Sequence, residues 1–168
     1  MDFLGSFKKK QKENSGFENN KEPGIVLGEG ILFEDIGKVV KWGKTIKDLS
    51  AIVNVKEKRF ADRTVYNWGE HIILNGLNLE LTTTFWNHRE ESANKRFNRI
   101  DFWTVGDEEA EKYLELIRLH LENQFGLPGR KEISETDAIF EWIINGMKLH
   151  LYFFEQHVNK LHFEISRL

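Results

Sequence analysis

The chain has 168 residues, which suits one domain or two small lobes sharing a sheet, and its hydrophobic fraction of 40%, with 13 Phe and 5 Trp, can fill a real core. A net charge of −3 argues against a nucleic-acid binder that works by phosphate neutralisation. The absence of cysteine excludes disulfides and thiolate metal sites, and no apolar run approaches the roughly 18 residues of a membrane helix.

Residues 1–24, "MDFLGSFKKKQKENSGFENNKEPG", read as a disordered basic tail. Phe3, Leu4 and Phe7 ahead of Lys8, Lys9, Lys10 and Lys12 suggest a short amphipathic helix on an anionic membrane. Membrane contact through residues 3–12 is nevertheless not expected, because one weak signal rarely anchors a chain. The segment does not read as a signal peptide, and Asp2 stands where myristoylation needs glycine. From residue 25 a single domain is expected to run to residue 168.

Between Ile25 and Val40 the glycines at 28, 30 and 37 punctuate apolar pairs, which suits an irregular or extended lead-in. Gly28-Glu29-Gly30 lacks the third glycine of a dinucleotide fingerprint and is read as turn chemistry. "TIKD" at 45–48 supplies a capping hydroxyl and an acid three residues later, predicting a helix to about Val53. Asn75-Gly76 then sits between apolar runs, the strongest short signal for a hairpin because both turn residues need positive φ. It predicts strands over 65–74 and 77–86, with "NRIDFWTV" at 98–105 as a third strand. The charged loop "NHREESANKRFN" lies between and is read as solvated.

Asp107 opens a second helix, whose acids at 107–109 and 111 complement its positive end. Ala110, Tyr113, Leu114, Ile117, Leu121 and Phe125 recur at three- and four-residue steps as one buried stripe. Gly126 and Pro128 stop it. Asn145-Gly146 centres a second hairpin, 138–144 with 147–154, and "NKLHFEIS" at 159–166 follows as its third strand. The expected fold is therefore α+β: two tandem helix-strand-strand-strand units, 45–105 and 107–166, with an antiparallel sheet packed on helices on one face. The competing explanation is two hairpins that arose independently in a β-rich chain.

A two-residue turn fixes cross-strand partners. Ile144–Met147, Trp142–Leu149 and Phe140–Leu151 are then predicted to face the helices, with Ile143–Lys148, Glu141–His150 and Ile139–Tyr152 opposite. Consistent faces in the last hairpin set Leu151 against Leu161 and His150 against His162. In the first hairpin Leu74–Leu77, Ile72–Leu79 and Trp68–Thr83 point inward, and His71–Glu80, Asn67–Thr84 and Val65–Trp86 outward. Ile100 and Phe102 point inward, leaving Arg99, Asp101 and Trp103 outward.

Two candidate sites follow. Trp86, Arg99, Trp103 and Tyr152 on the polar face resemble a protein-recognition surface, where Trp, Tyr and Arg dominate binding energy. The lead-in folding over these rings is the alternative. Glu141, His150 and His162 would share a row with Cβ atoms about 5 Å apart, close enough for a metal ion or an acid/base group. The plainer reading is a solvated carboxylate–imidazole pair. His120 reads as a packing or surface residue and His157 as a turn residue.

The order of elements, with "LENQFGLPG" ending the second helix and an aromatic strand after it, resembles the β-lactamase-inhibitor-protein-like architecture. It is also similar to the SmpA-type outer-membrane assembly lipoproteins. The resemblance covers about residues 45–166 and rests on element order and the Phe-Gly-x-Pro helix ending. The chain departs from it in lacking cysteine for a lipobox or for the inhibitor's disulfides, and in having one helix per unit where those proteins have two. What it implies is an exposed sheet face that binds a partner protein. The expected function is a non-enzymatic, bacterial, cytoplasmic protein-binding domain of unknown partner, an inhibitor or a toxin-immunity protein, needing no cofactor. The alternative is a small-molecule or metal-binding protein using Glu141, His150 and His162.

Overall fold

The computed structural model describes residues 27–86 and 96–168. The predicted tail, its membrane-contact segment 3–12 and most of the charged loop lie outside the described residues. The chain is α+β, with elements in the order β1 (Gly30–Phe33), β2 (Lys38–Lys41), α1 (Ile46–Ser50), β3 (Lys56–Arg59), β4 (Arg63–Ile73), β5 (Leu77–Trp86), β6 (Arg99–Val105), α2 (Asp107–Phe125), β7 (Arg130–Ile133), β8 (Asp137–Ile144), β9 (Met147–Glu155) and β10 (Asn159–Arg167). β1 and β2 form a small sheet, and the other strands one antiparallel sheet in the order β3-β4-β5-β6-β10-β9-β8-β7. Two four-stranded meanders thus meet through their last strands, β6 and β10. No helix among the described residues is long and apolar enough to cross a membrane.

Local chemistry sets the helix ends. Thr45 caps α1, its hydroxyl accepting from the Asp48 amide at 3.2 Å. α1 stops at Ser50 rather than Val53, after burying Ile46 and Leu49. α2 keeps its predicted span; Ala110, Ile117 and Leu121 are buried, and Gly126 stops it at φ +80°. It packs over β6, β9 and β10. The lead-in hairpin packs over the first meander on this inner face. Phe33 meets Trp68 edge-on at 6.3 Å, Trp42 stacks on Phe97 at 4.7 Å, and Phe97 meets Trp68 at 5.3 Å. The lead-in therefore covers the dry face and not the polar one.

The second hairpin has the predicted register throughout, from Ile144↔Met147 to Ile139↔Tyr152. Asn145 and Gly146 both take positive φ, as a two-residue turn matched to strand twist requires. The first hairpin does not have the predicted register. Its loop holds three residues, Leu74, Asn75 and Gly76, all at positive φ, so Ile73 and not Leu74 faces Leu77. His71 and Ile73 point into the core where Ile72 was expected, and Leu79 lies opposite His71. Trp68 and Thr83 are both buried as expected, joined by a 2.9 Å bond from the indole N–H to the hydroxyl. Asn67 lies opposite Thr82, Val65 opposite Thr84 and Arg63 opposite Trp86, again shifted from expectation.

The further shift beyond Trp68 comes from a β-bulge between Asn67 and Gly69. Inward residues at 68 and then 71 break the two-residue alternation, and an extra residue restores phase. Gly69 takes φ +87° there, and its amide is held by the Asn67 side chain at 2.7 Å. The loop of this hairpin also docks on α2: the His120 imidazole donates to the Leu74 carbonyl at 2.5 Å, and the Asn75 side-chain Nδ2 to Gln124 Oε1 at 3.0 Å. The short strands β3 and β7, missed in the sequence, form the two edges of the sheet and are exposed along their length.

A side chain at position 69 meets nothing within 4 Å, so only backbone strain opposes it. Gly69→Ala should cost about 1–2 kcal/mol, read as a lower urea midpoint with unchanged slope. An unchanged midpoint would remove the bulge as the device that sets register.

Candidate functional site

The sheet has one weak line. β6 and β10 pair from Lys160↔Val105 to Ser166↔Arg99, and β4 pairs with β5 along its length. Between β5 and β6 the described residues share a single register pair, Thr82↔Asp101. Side chains stitch the rest of this seam. The Thr83 hydroxyl donates to the Arg99 carbonyl at 2.9 Å, the Thr82 hydroxyl to the Asp101 carbonyl at 3.4 Å, and the Arg99 guanidinium to the Thr84 carbonyl. On the outer face a cleft of about 720 Å³ follows the seam, bounded by Arg63, Val65, Thr84 and Trp86 on one side and Arg99, Trp103 and His162 on the other. That volume lies in the range of small-molecule and anchor pockets.

Trp103 stands at its rim, 50% exposed, with its indole stacked on His162 at 3.9 Å. Arg63 lies over Phe60 at 4.7 Å and Trp86 at 5.4 Å, a cation–π arrangement that fixes the guanidinium beside the rim. Beneath Trp103, His162 Nε2 is 3.0 Å from Asp101 Oδ1; a carboxylate only accepts, so this nitrogen carries the proton. Asp101 is 3% exposed although it belongs to the polar face. Its Oδ2 has no hydrogen-bond partner; Arg99 Nε, 3.4 Å away, gives it an ion pair only. Arg99 also reaches Glu164 at 3.9 Å.

Of the predicted partner-binding residues, Trp86, Arg99 and Trp103 are brought together around the cleft. Tyr152 shares their face but lies beyond His162, its cross-strand partner, and stacks on Phe154 at 4.8 Å. Burial, followed by the charge of Asp137, raises the Tyr152 hydroxyl above its ordinary value.

The predicted metal row is broken. Glu141 does face His150, but His150 faces Glu164, while His162 faces Tyr152 and Trp103; Leu151 likewise faces Phe163 rather than Leu161. The reason is the last turn, where Glu155 pairs with Asn159 around Gln156, His157 and Val158. This turn is centred one residue later than the predicted register implies, and each residue of turn displacement moves antiparallel partners by two. Faces survive such a slip and rows do not. Burial, then the Lys148 charge, pushes the His150 imidazole below its ordinary value.

Two features escaped the sequence reading. Glu164 belongs with Asp101 and His162, a grouping that depends on the late turn. His71, expected outside, is 8% exposed, stacked on Phe33 at 4.1 Å, and 2.8 Å from Asp35. Gly69 inside an otherwise strand-like run was the available signal for it. Comparison with protein-family models, curated proteins and solved structures finds no match for this chain, so the geometry alone carries the functional argument.

Asp35 gives a pH prediction. Its burial raises the carboxyl, but bonds from His71 and the Ile72 amide outweigh this and hold it below the ordinary 3.8. A depressed carboxyl contributes stability that is present above 3.8 and lost as pH falls through its folded value. Urea midpoints of the wild type and Asp35→Asn should differ at pH 6 and converge below that window. Coincident midpoints at pH 6 would show that the pair does not stabilise the fold.

Proposed function

We propose that the protein binds a partner protein through the outer face of its eight-stranded sheet, with the cleft at the β5–β6 seam receiving the partner's anchor side chain. The observation that carries this is Trp103, half exposed at the cleft rim, with Arg99 of its own strand held by the Thr84 carbonyl and the stacked Arg63 and Trp86 lining the same cleft across the seam. Tryptophan and arginine around a pocket are the residue types that concentrate binding energy, and pre-positioned side chains lose little entropy on association.

The sheet edges favour the same reading. β3 is Lys56-Glu57-Lys58-Arg59 and β7 is Arg130-Lys131-Glu132-Ile133, short and charged enough to discourage a partner from adding a strand. A partner then approaches the face, which offers room for the roughly 800 Å² per side of an ordinary complex. The role we read is a non-enzymatic one, an inhibitor or a toxin-immunity protein, from the aromatic-bearing polar face. We also read the two meanders as copies of one ancestral unit. Their mirrored order about β6 and β10 supports this.

Immobilised wild type and single Trp86→Ala and Trp103→Ala variants, used as baits and followed by affinity measurement on the purified partner, test the proposal. Each variant should weaken binding about 30-fold, equivalent to about 2 kcal/mol, with little change in melting temperature because both rings reach solvent. A partner held with unchanged affinity by both variants would place the contact elsewhere.

A further inference from the structure

We propose that the floor of the cleft is a binding site for a divalent transition-metal ion such as zinc or manganese, held by Asp101, His162 and Glu164. Donor atoms of these three side chains lie within 4.8 Å of one another, the one such trio among the described residues. The sheet itself assembles them. Asp101 and Glu164 are direct cross-strand partners on β6 and β10, and His162 is two residues from Glu164 on the same face.

Asp101 supplies the independent observation. A carboxylate oxygen buried without a hydrogen-bond donor is unfavourable, and Oδ2 is in that condition in the wall of the cleft. Arg99 is the resident counter-charge, but at 3.4 Å from Oδ2 and 3.9 Å from Glu164 it makes an ion pair with each and a hydrogen bond with neither. Its hydrogen bond goes to the Thr84 carbonyl. The guanidinium can therefore keep that anchor while a cation takes the space between the carboxylates. Two carboxylates and one guanidinium leave a net charge of −1 at a neutral imidazole, which favours a dication.

The donor set selects the metal class. One imidazole nitrogen and two carboxylate oxygens suit zinc or manganese, whereas magnesium and calcium prefer all-oxygen shells. Zinc bonds of about 2.0–2.2 Å require the donors to draw together from their present spacing, and the longest arm, Glu164, can close most of that gap. Coordination through His162 Nε2 requires its proton to pass by way of solvent to Nδ1, so the bond to Asp101 is given up while the ring stays neutral. The remaining metal position faces the cleft. Because Trp103 stacks on His162, its fluorescence reports occupancy.

The test is calorimetric titration of the chelator-treated full chain with zinc, manganese and magnesium chlorides, followed in parallel by tryptophan fluorescence. One zinc or manganese ion should bind per chain with micromolar or tighter affinity, and magnesium far more weakly. Asp101→Asn, Glu164→Gln and His162→Gln should each weaken binding at least about tenfold. Trp103→Phe should abolish the fluorescence change and keep the calorimetric stoichiometry. His157→Gln, in the exposed last turn, should change nothing. Absence of zinc and manganese binding, equal affinity for magnesium, or undiminished binding in variants that melt like the wild type would overturn the assignment. The partner-binding measurements use other substitutions, so either proposal can fail alone.

Discussion

The antiparallel ladder between β6 and β10 is the interaction on which the rest of the molecule depends. Each meander ends in it, and within the sheet the two sets of strands are joined through it. Its inner side chains, Ile100 and Phe102 on one strand and Leu161, Phe163 and Ile165 on the other, are buried where α2 crosses. Removing this much apolar surface from water supplies several kcal/mol per element, far more than any polar contact on the other side. The alternation of a strand then puts Asp101, Trp103, His162 and Glu164 on the opposite face, two per strand and held at fixed spacing. The core and the candidate site are two sides of one ladder.

How much of this was legible in the sequence depends on turn chemistry. Around Asn145-Gly146 the strands, faces and partners all follow from a dipeptide that fits one turn geometry. Around Asn75-Gly76 the same dipeptide misled, because Leu74 joined the loop and Gly69 carried a bulge, each shifting the phase. Helix α2 was readable from its periodic stripe and its glycine stop. β3 and β7 were not readable, since a short edge strand of mostly charged residues, exposed along its length, shows no alternation.

The candidate site was legible in kind and not in detail. Aromatic and ionisable residues on one face follow from alternation, so Trp86, Arg99 and Trp103 could be grouped without coordinates. The burial of Asp101 could not. It depends on side chains from β5, β6 and β10 converging, and the β10 partners hinge on where a turn without glycine or proline happens to bend. The Asp35–His71 pair was hidden because Leu74 joins the first hairpin's loop and turns His71 inward.

The seam between β5 and β6 has a mechanical consequence. Elsewhere in the sheet, opening a strand pair means breaking a run of backbone bonds that act together. Here the carbonyls of Thr84, Arg99 and Asp101 are held by individual side chains, each contributing about 0.5–1.5 kcal/mol. With one register pair, Thr82↔Asp101, among the described residues, the seam is the line along which the sheet has the fewest cooperative backbone bonds to resist bending.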